Sequence, residues 1–450
     1  MRRIGLYLLL GMSLACQSAT VDPPEASPQP PVDPPPSPAT GPTWHGGVKQ
    51  LVEAHCSGCH QEGEVAPFSL TNFAEVHAMG SMVKDSVTAR RMPPWKAHGD
   101  CNDYENERLL TDEQIALVQE WVDAGMPEGQ PSDAEGIEVG GGPGEGVTLR
   151  ADQILSLPVA YQPTQQPDDY RCFVIDWPET ETKYVTGFEV LPDNRQLLHH
   201  VIAFKIPPDE VDAIMELDGG DPEPGYECFG SPGGSRPYWI GSWAPGGLPR
   251  LMPEGTGMKI EPGSKIVVQT HYNLIGGADG IDQSAVLFQL DDEVEREAQV
   301  MPWTNPQWLR GGGGMAIPAG ESEVRHAFEF APVTAGYPFG RGVEIDIFSA
   351  GLHMHLLGRK ATLSVAHADG TNTCLLRIDD WDFGWQGSYE LKQPVRLAAD
   401  DVLRVECEWD NSSGNQPIIN GERMVSQDLQ WGEGTTDEMC LGILYAAPAE

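Results

Sequence analysis

At 450 residues the chain is long enough for two to four domains of roughly 100–200 residues each. It carries 28 basic and 67 acidic side chains, and a net charge of −39 excludes nucleic acid as a partner, because phosphate binding needs a positive surface. A hydrophobic fraction of 40% excludes wholesale disorder, while 51 Gly and 39 Pro exclude an all-helical or coiled-coil protein.

Residues 1–16 read as a secretory leader: Arg2 and Arg3, an apolar stretch from Ile4 to Ala15, then Cys16. That stretch is too short to span a bilayer, which takes about 20 residues. Ser13-Leu14-Ala15-Cys16 resembles a bacterial lipoprotein processing box, with Ser13 where Leu is usual. The resemblance implies a lipidated Cys16 and an exported protein anchored on the periplasmic side or the cell surface. Residues 17–42 form a Pro-rich tether, since half of the positions from Pro23 to Pro42 are proline and such a segment is extended. No later segment is apolar enough to cross a membrane.

Of the nine cysteines, two fall in Cys56-Ser57-Gly58-Cys59-His60, which has the Cys-x-x-Cys-His form of a c-type haem attachment site. The spacing sets the thiols one helical turn apart for thioether bonds to the two vinyl groups and leaves His60 for the iron. A redox dithiol and half a zinc site are the alternatives, and the adjoining His and the exported context weigh against both. A second axial ligand is expected from a loop: Met92 in Arg91-Met92-Pro93-Pro94-Trp95, with Met79, Met82 and Met126 as competitors. Thr111-Asp112-Glu113-Gln114 has capping-box form, Ile115, Val118, Trp121 and Val122 repeat at helical spacing, and Gly125 can stop the helix. These features together resemble a small class I cytochrome c, covering residues 43–130. Residues 131–150 form a linker around the run Gly140 to Gly146, where the domain boundary is placed.

Beyond the linker, short β-type runs such as Lys265 to His271, Val343 to Phe348 and Ala361 to Val365 alternate with Gly/Pro turns. They predict a mainly β protein with two antiparallel sandwiches, 151–290 and 291–450, after the small helical domain.

Histidine is sparse, 12 in all, yet grouped: His199-His200, His271, and His353-Met354-His355. In a strand, His353 and His355 face one way and Met354 the other, so the pair can share a metal. His199 and His200 would point apart in a regular strand and can share an ion only at a strand end or bulge. Imidazole and thioether suit copper, and thioether favours Cu(I). Taken singly, any His reads as a structural residue, and that reading is kept for His45, His55, His77, His98, His326 and His367.

The segments Leu198-His199-His200-Val201, Gln269-Thr270-His271-Tyr272-Asn273, Leu352-His353-Met354-His355-Leu356 and Thr436-Asp437-Glu438-Met439-Cys440 occur in an order that resembles the copper type II, ascorbate-dependent monooxygenases, over roughly residues 150 to 448. That family includes the peptidylglycine α-hydroxylating and dopamine β-monooxygenases. The resemblance implies two jelly-roll-like sandwiches with two coppers facing across an open cleft. It also implies an electron-storing copper on His199, His200 and His271, and an oxygen-binding, catalytic copper on His353, His355 and Met439.

With Cys16, Cys56 and Cys59 set aside, six cysteines remain for disulfides in an oxidising compartment. The resemblance implies Cys407 with Cys440. Cys172 with Cys228 is the pair expected in the first sandwich, and nothing joins Cys101 to Cys374. Where the peptidylglycine enzyme anchors a carboxylate with Arg, Gly351 stands, and Leu441 and Ile443 replace its Asn and Tyr. Peptide amidation is therefore disfavoured, since a carboxylate wants a bidentate cation, and a neutral or largely apolar small substrate is expected.

These readings combine into a membrane-tethered copper monooxygenase that hydroxylates a C–H bond with O2, its electrons coming from a periplasmic or respiratory donor through the fused haem c. The rivals are a non-catalytic electron-transfer or copper-holding lipoprotein and an acidic surface adhesin. The negative charge reads as a solvating surface rather than a docking face for a basic redox partner. Asn411-Ser412-Ser413 has the form of a glycosylation acceptor but reads as a turn.

Overall fold

The computed structural model describes residues 41–450, apart from positions 63, 65, 135–146, 236, 275–278, 311–313 and 420. The leader, Cys16, the tether up to residue 40 and the glycine run of the linker lie outside the described residues. Strand outweighs helix, and among the described residues strand pairing is antiparallel except where Arg296–Glu297 runs parallel to Thr256 and Gly257 and at the isolated bridge between Trp431 and Glu438. No helix among the described residues is long and apolar enough to cross a membrane.

Three helices come first: α1 (Lys49–His55), α2 (Phe73–Thr88) and α3 (Asp112–Asp123). The Thr111/Gln114 capping box forms in both directions, and Gly125, at φ +84°, takes the left-handed turn that ends α3. Ile115, Val118 and Trp121 are buried along one face of α3.

The arm between α2 and α3 leaves this module and joins the sheets. Ala97 bridges Ile378 and Tyr104 bridges Leu391, each as a short antiparallel contact. Tyr104 is buried and donates its hydroxyl to Leu375 O at 3.0 Å. Cys101 and Cys374, which spacing left without partners, are bonded to each other across 273 residues. Cys172 pairs with Cys228 and Cys407 with Cys440. Gly41–Glu450 accordingly form one compact unit, so the helical module is a built-in part rather than an appendage.

The first pair of sheets has Phe173, Val201, Ala203 and Val268 on one side of its core and Val185, Phe188, Val286 and Phe288 on the other. Its five-stranded sheet runs in the order Tyr226–Glu227, Asp168–Asp176, Lys265–Asn273, Leu198–Ile206, Tyr238–Trp243. The second pair joins Gln299–Trp303, Leu441–Pro448, Ile345–His353 and Ser388–Leu397 in one sheet to Val324–Phe330, Val402–Trp409, Gly358–Ala366 and Asn372–Ile378 in the other.

Ile345–His353 and Leu441–Pro448 serve both cores. Ile345, Ile347, Ala350, Leu444 and Ala446 pack into the second core, while Phe348, Tyr445 and Ala447 pack into the first. A strand buried on both faces is apolar at consecutive positions, and these two are. Tyr445 OH lies 3.0 Å from Thr256 Oγ1 across the joint. Arg250 adds Glu390 at 2.9 Å and Ser349 Oγ at 2.5 Å.

Asn411 is buried and its amide serves the carbonyls of Ile317, Pro318 and Gln427, so it is a turn residue. His326 bonds Ala316 O at 2.8 Å, and His367 bonds Asp401 at 2.9 Å.

Candidate metal centres

His199 and His200 sit at a bulge. Leu198 pairs with Tyr272 and His200 with His271, which leaves His199 as the extra residue of its strand. The bulge is the departure from regular strand geometry that lets two neighbouring side chains turn to one side. His271 belongs to the central strand Lys265–Asn273, fully buried.

One ring nitrogen from each of the three histidines lies within 4.8 Å of the other two. Nδ1 of His200 is 3.4 Å from Nδ1 of His199 and 3.1 Å from Nδ1 of His271. His271 donates Nε2–H to Asp168 Oδ1 at 2.8 Å, so its Nδ1 is the nitrogen left with a lone pair. Tyr170 stacks on His271 with ring centroids 4.0 Å apart at 8°. Burial holds His199 down to about 4 and His200 and His271 well below the usual imidazole value, so all three are neutral at pH 7. Three converging neutral nitrogens, one braced by a carboxylate, fit a copper ion.

His353 ends its strand and His355 follows it, with Met354 buried in the second core. The strand stops two residues short of His355, yet the two rings stay together, centroids 5.0 Å apart at 84°. His353 donates Nδ1–H to Gln386 Oε1 at 2.5 Å, and His355 donates Nδ1–H to Asp437 O at 3.2 Å. Both thereby keep Nε2 as the free donor atom.

Glu438 braces the same corner, accepting from His355 N at 3.0 Å, Leu357 N at 2.6 Å and Trp409 Nε1 at 2.8 Å. Its burial pushes the carboxyl up to about 7 against these bonds. Met439 is next in sequence, buried, with its neighbour Cys440 tied to Cys407. Two imidazoles and a thioether are a donor set suited to copper.

His199, His200, His353, His355 and Met439 line one cavity of about 810 Å³, within the range of small-molecule sites. Instead of facing across an open cleft, the two groups adjoin: His200 and His353 have ring centroids 6.4 Å apart. The shared strands Ile345–His353 and Leu441–Pro448 draw the two sheet pairs together, and Phe383 stands against His199 at 4.8 Å and His355 at 6.0 Å. Gly351, Leu441 and Ile443 line the cavity as well.

In the helical module Cys56 and Cys59 are free thiols on the turn after α1, where His60 N donates to Cys56 O at 3.0 Å. His60 donates Nδ1–H to Phe68 O at 3.1 Å, leaving Nε2 for a metal. Two free thiols and an oriented imidazole in this order fit a covalently held haem. Met92 is 43% exposed on the loop after α2, whereas Met79 and Met126 pack with Cys56 and Phe68 in the helical core.

Motif reading missed Asp168, Phe383, Gln386 and Trp381, whose indole donates to His355 O at 3.0 Å. The one signal for the last three was the density of aromatic residues in Trp381-Asp382-Phe383-Gly384-Trp385.

Residues 311–449 match the copper type II ascorbate-dependent monooxygenase, C-terminal domain. The match takes in the second sheet pair except for its strand Gln299–Trp303. Tyramine beta-hydroxylase of Caenorhabditis briggsae is homologous, 25% identical over 361 residues that make up 77% of this chain and 55% of that protein. The chain spans about half the length of this curated relative. Among solved structures, the major capsid protein P2 of bacteriophage PM2 is 8% identical over 66% of this chain and 97% of its own, with a TM-score of 0.26. PNGF-II is 10% identical over 66% of each chain, also with a TM-score of 0.26. Neither likeness bears on the fold.

Proposed function

We propose that this chain is a copper monooxygenase that inserts one oxygen atom of O2 into a C–H bond of a small, neutral or largely apolar molecule, with its reducing electrons entering through a haem c of its own. The observation that carries the reading is the single cavity on which His199, His200, His353, His355 and Met439 converge. His199, His200 and His271 would hold one copper, and His353, His355 and Met439 the other. When bound, the pair supplies O2 activation and one electron from each ion.

The chain's own residues do the rest. Asp168, Gln386 and the Asp437 carbonyl fix three imidazole tautomers, so that no proton blocks a donor nitrogen. Gly351, Leu441 and Ile443 remove the groups that would recognise a carboxylate and leave an apolar wall. Cys56 and Cys59 would hold the haem, and His60 and Met92 would be the side chains offered to its iron. Cys16 would be lipidated, holding the protein at a membrane on its exported side, where a periplasmic or respiratory carrier reduces it.

Two coppers and one haem iron per chain, and product labelled by 18-O dioxygen, are the expected results. His271→Ala and His355→Ala should each remove one copper. Copper binding without labelled product from any C–H substrate would favour the electron-transfer lipoprotein instead.

A further inference from the structure

One wall of the cavity is built in rows that lead away from the second histidine pair. Ser349, Gly351 and His353 alternate along the strand Ile345–His353 and so share a face, the bulge of that strand falling just before Ser349. Across the sheet, Leu441 stands beside His353, Ile443 and Ser388 beside Gly351, and Tyr445 and Glu390 beside Ser349. All of them line the cavity. The row at His353 is the metal end. The middle row is bare, since Gly351 has no side chain and a Cβ there would stand 3.6 Å from that of Ile443. At the rise of an antiparallel strand, the last row lies about 13 Å from His353.

That last row is polar, and Arg250 closes it from the first sheet pair, where the strand Arg250–Leu251 pairs with Gly187 and Phe188. The guanidinium is fixed on three sides: Nε donates to Glu390 Oε1 at 2.9 Å, Nη2 donates to Ser349 Oγ at 2.5 Å, and its carbon lies 5.2 Å from the ring centroid of Tyr445. Ser388 Oγ donates to Ser349 Oγ at 3.4 Å. The Arg250 and Glu390 side chains stay 21% and 30% exposed. Among the described residues, Nη1 of Arg250 and Oε2 of Glu390 make no hydrogen bond. The pair thus offers the cavity one donor and one acceptor with no net charge.

We propose that Arg250 and Glu390 form a subsite for the far end of the substrate, which is an elongated molecule. Its C–H group lies at the metal end, its apolar body over Gly351, Leu441 and Ile443, and its terminus is a neutral group that both accepts and donates a hydrogen bond, as a carboxamide does. The proposal rests on the copper reading above for which end reacts. Arg250 and Glu390 set specificity and touch no reacting atom. A terminal carboxylate does not serve, because it brings Glu390 no donor and sets a like charge beside it. A hydrocarbon terminus takes the pair out of water without replacing its hydrogen bonds.

The test is isothermal titration calorimetry on full-length, copper-loaded protein without reductant, with phenylhexanamide and phenylhexanoate as probes at neutral pH. The amide should bind on the order of tenfold or more tighter than the carboxylate. Glu390→Gln should bring the carboxylate level with the amide or ahead of it, because Arg250 is then uncompensated. A merely structural pair would weaken both probes alike. Equal wild-type affinities, or an unchanged preference in Glu390→Gln, overturn the subsite. If Glu390→Gln does not fold, Gly351→Val decides: a branched side chain across the middle row should weaken the amide on the order of tenfold with copper content as in wild type, and unweakened binding overturns the span. Selective binding without 18-O-labelled product from any member of a phenylpropanamide to phenylheptanamide series, with reductant and O2 supplied, overturns the functional reading instead and leaves the binding subsite standing.

Discussion

Asp168 and His271, 103 residues apart in sequence, are bonded through Nε2 and Oδ1 at 2.8 Å, and Asn273 donates to the same oxygen at 3.1 Å. The carboxylate therefore decides which His271 nitrogen faces His199 and His200. Removing such a brace usually costs 10–100-fold in metal affinity. Asp168→Asn should weaken copper binding at this centre by about that factor and leave the His353/His355 centre unchanged, as measured by titration against a copper chelator.

Glu438 supports the second centre by a different means. It collects three buried donors, the amides of His355 and Leu357 and the indole of Trp409. Glu438→Ala strands all three, at roughly 1–3 kcal/mol for each donor left unsatisfied. The expected result is a loss of about 3 kcal/mol or more in denaturant unfolding, together with loss of one copper. Glu438→Gln should be milder, because its carbonyl oxygen can still accept.

The Cys101–Cys374 bond closes a sequence separation of 273 residues. A cross-link over so long a loop restricts the unfolded chain strongly, and losing it typically costs about 2–5 kcal/mol. Cys101→Ser should lower the melting temperature by that equivalent and make the arm at 95–108 the first site of limited proteolysis.

Tyr445 shares in an alkaline limit with the other buried tyrosines Tyr104, Tyr161, Tyr170, Tyr226, Tyr272 and Tyr389 and the half-buried Tyr337, whose hydroxyls burial also pushes up. Burial pushes the Tyr445 hydroxyl up to about 12 from the ordinary 10. Above pH 10 the unfolded chain gives up this proton while the folded chain keeps it, so stability falls as pH rises toward 12. The fall from this group approaches about 1.4 kcal/mol per pH unit. Tyr445→Phe should remove this group's share of the slope in that window and leave the share of the other tyrosines, at a cost near pH 7 of about 1 kcal/mol for the lost bond to Thr256.

Much of the site was legible because its chemistry is local. Sparse histidines in tight groups point to candidate metal ligands, and the adjacency of His199 and His200 asked for a strand end or a bulge if both were to face one ion, of which the structure has the bulge. The resemblance supplied Met439 and the Cys407–Cys440 bond. What spacing could not reveal arises between distant segments. Asp168 reads as an ordinary acidic residue at a strand start, and its role exists only once two strands pair. The loop 381–387 carries no periodicity, and its aromatic residues acquire partners only when the modules close. Cys101 and Cys374 could not be joined because connectivity is not encoded in spacing.

The two short bridges of the arm have a further effect. Asn372–Ile378 and Ser388–Leu397 each end their sheet, so each would present unpaired amides and carbonyls to the surroundings. Ala97 occupies part of the first edge at Ile378, and Tyr104 part of the second at Leu391. Exposed edges of this kind invite another chain to add a strand, the first step toward aggregation. The segment between α2 and α3 thus guards the protein from joining edge to edge with its neighbours.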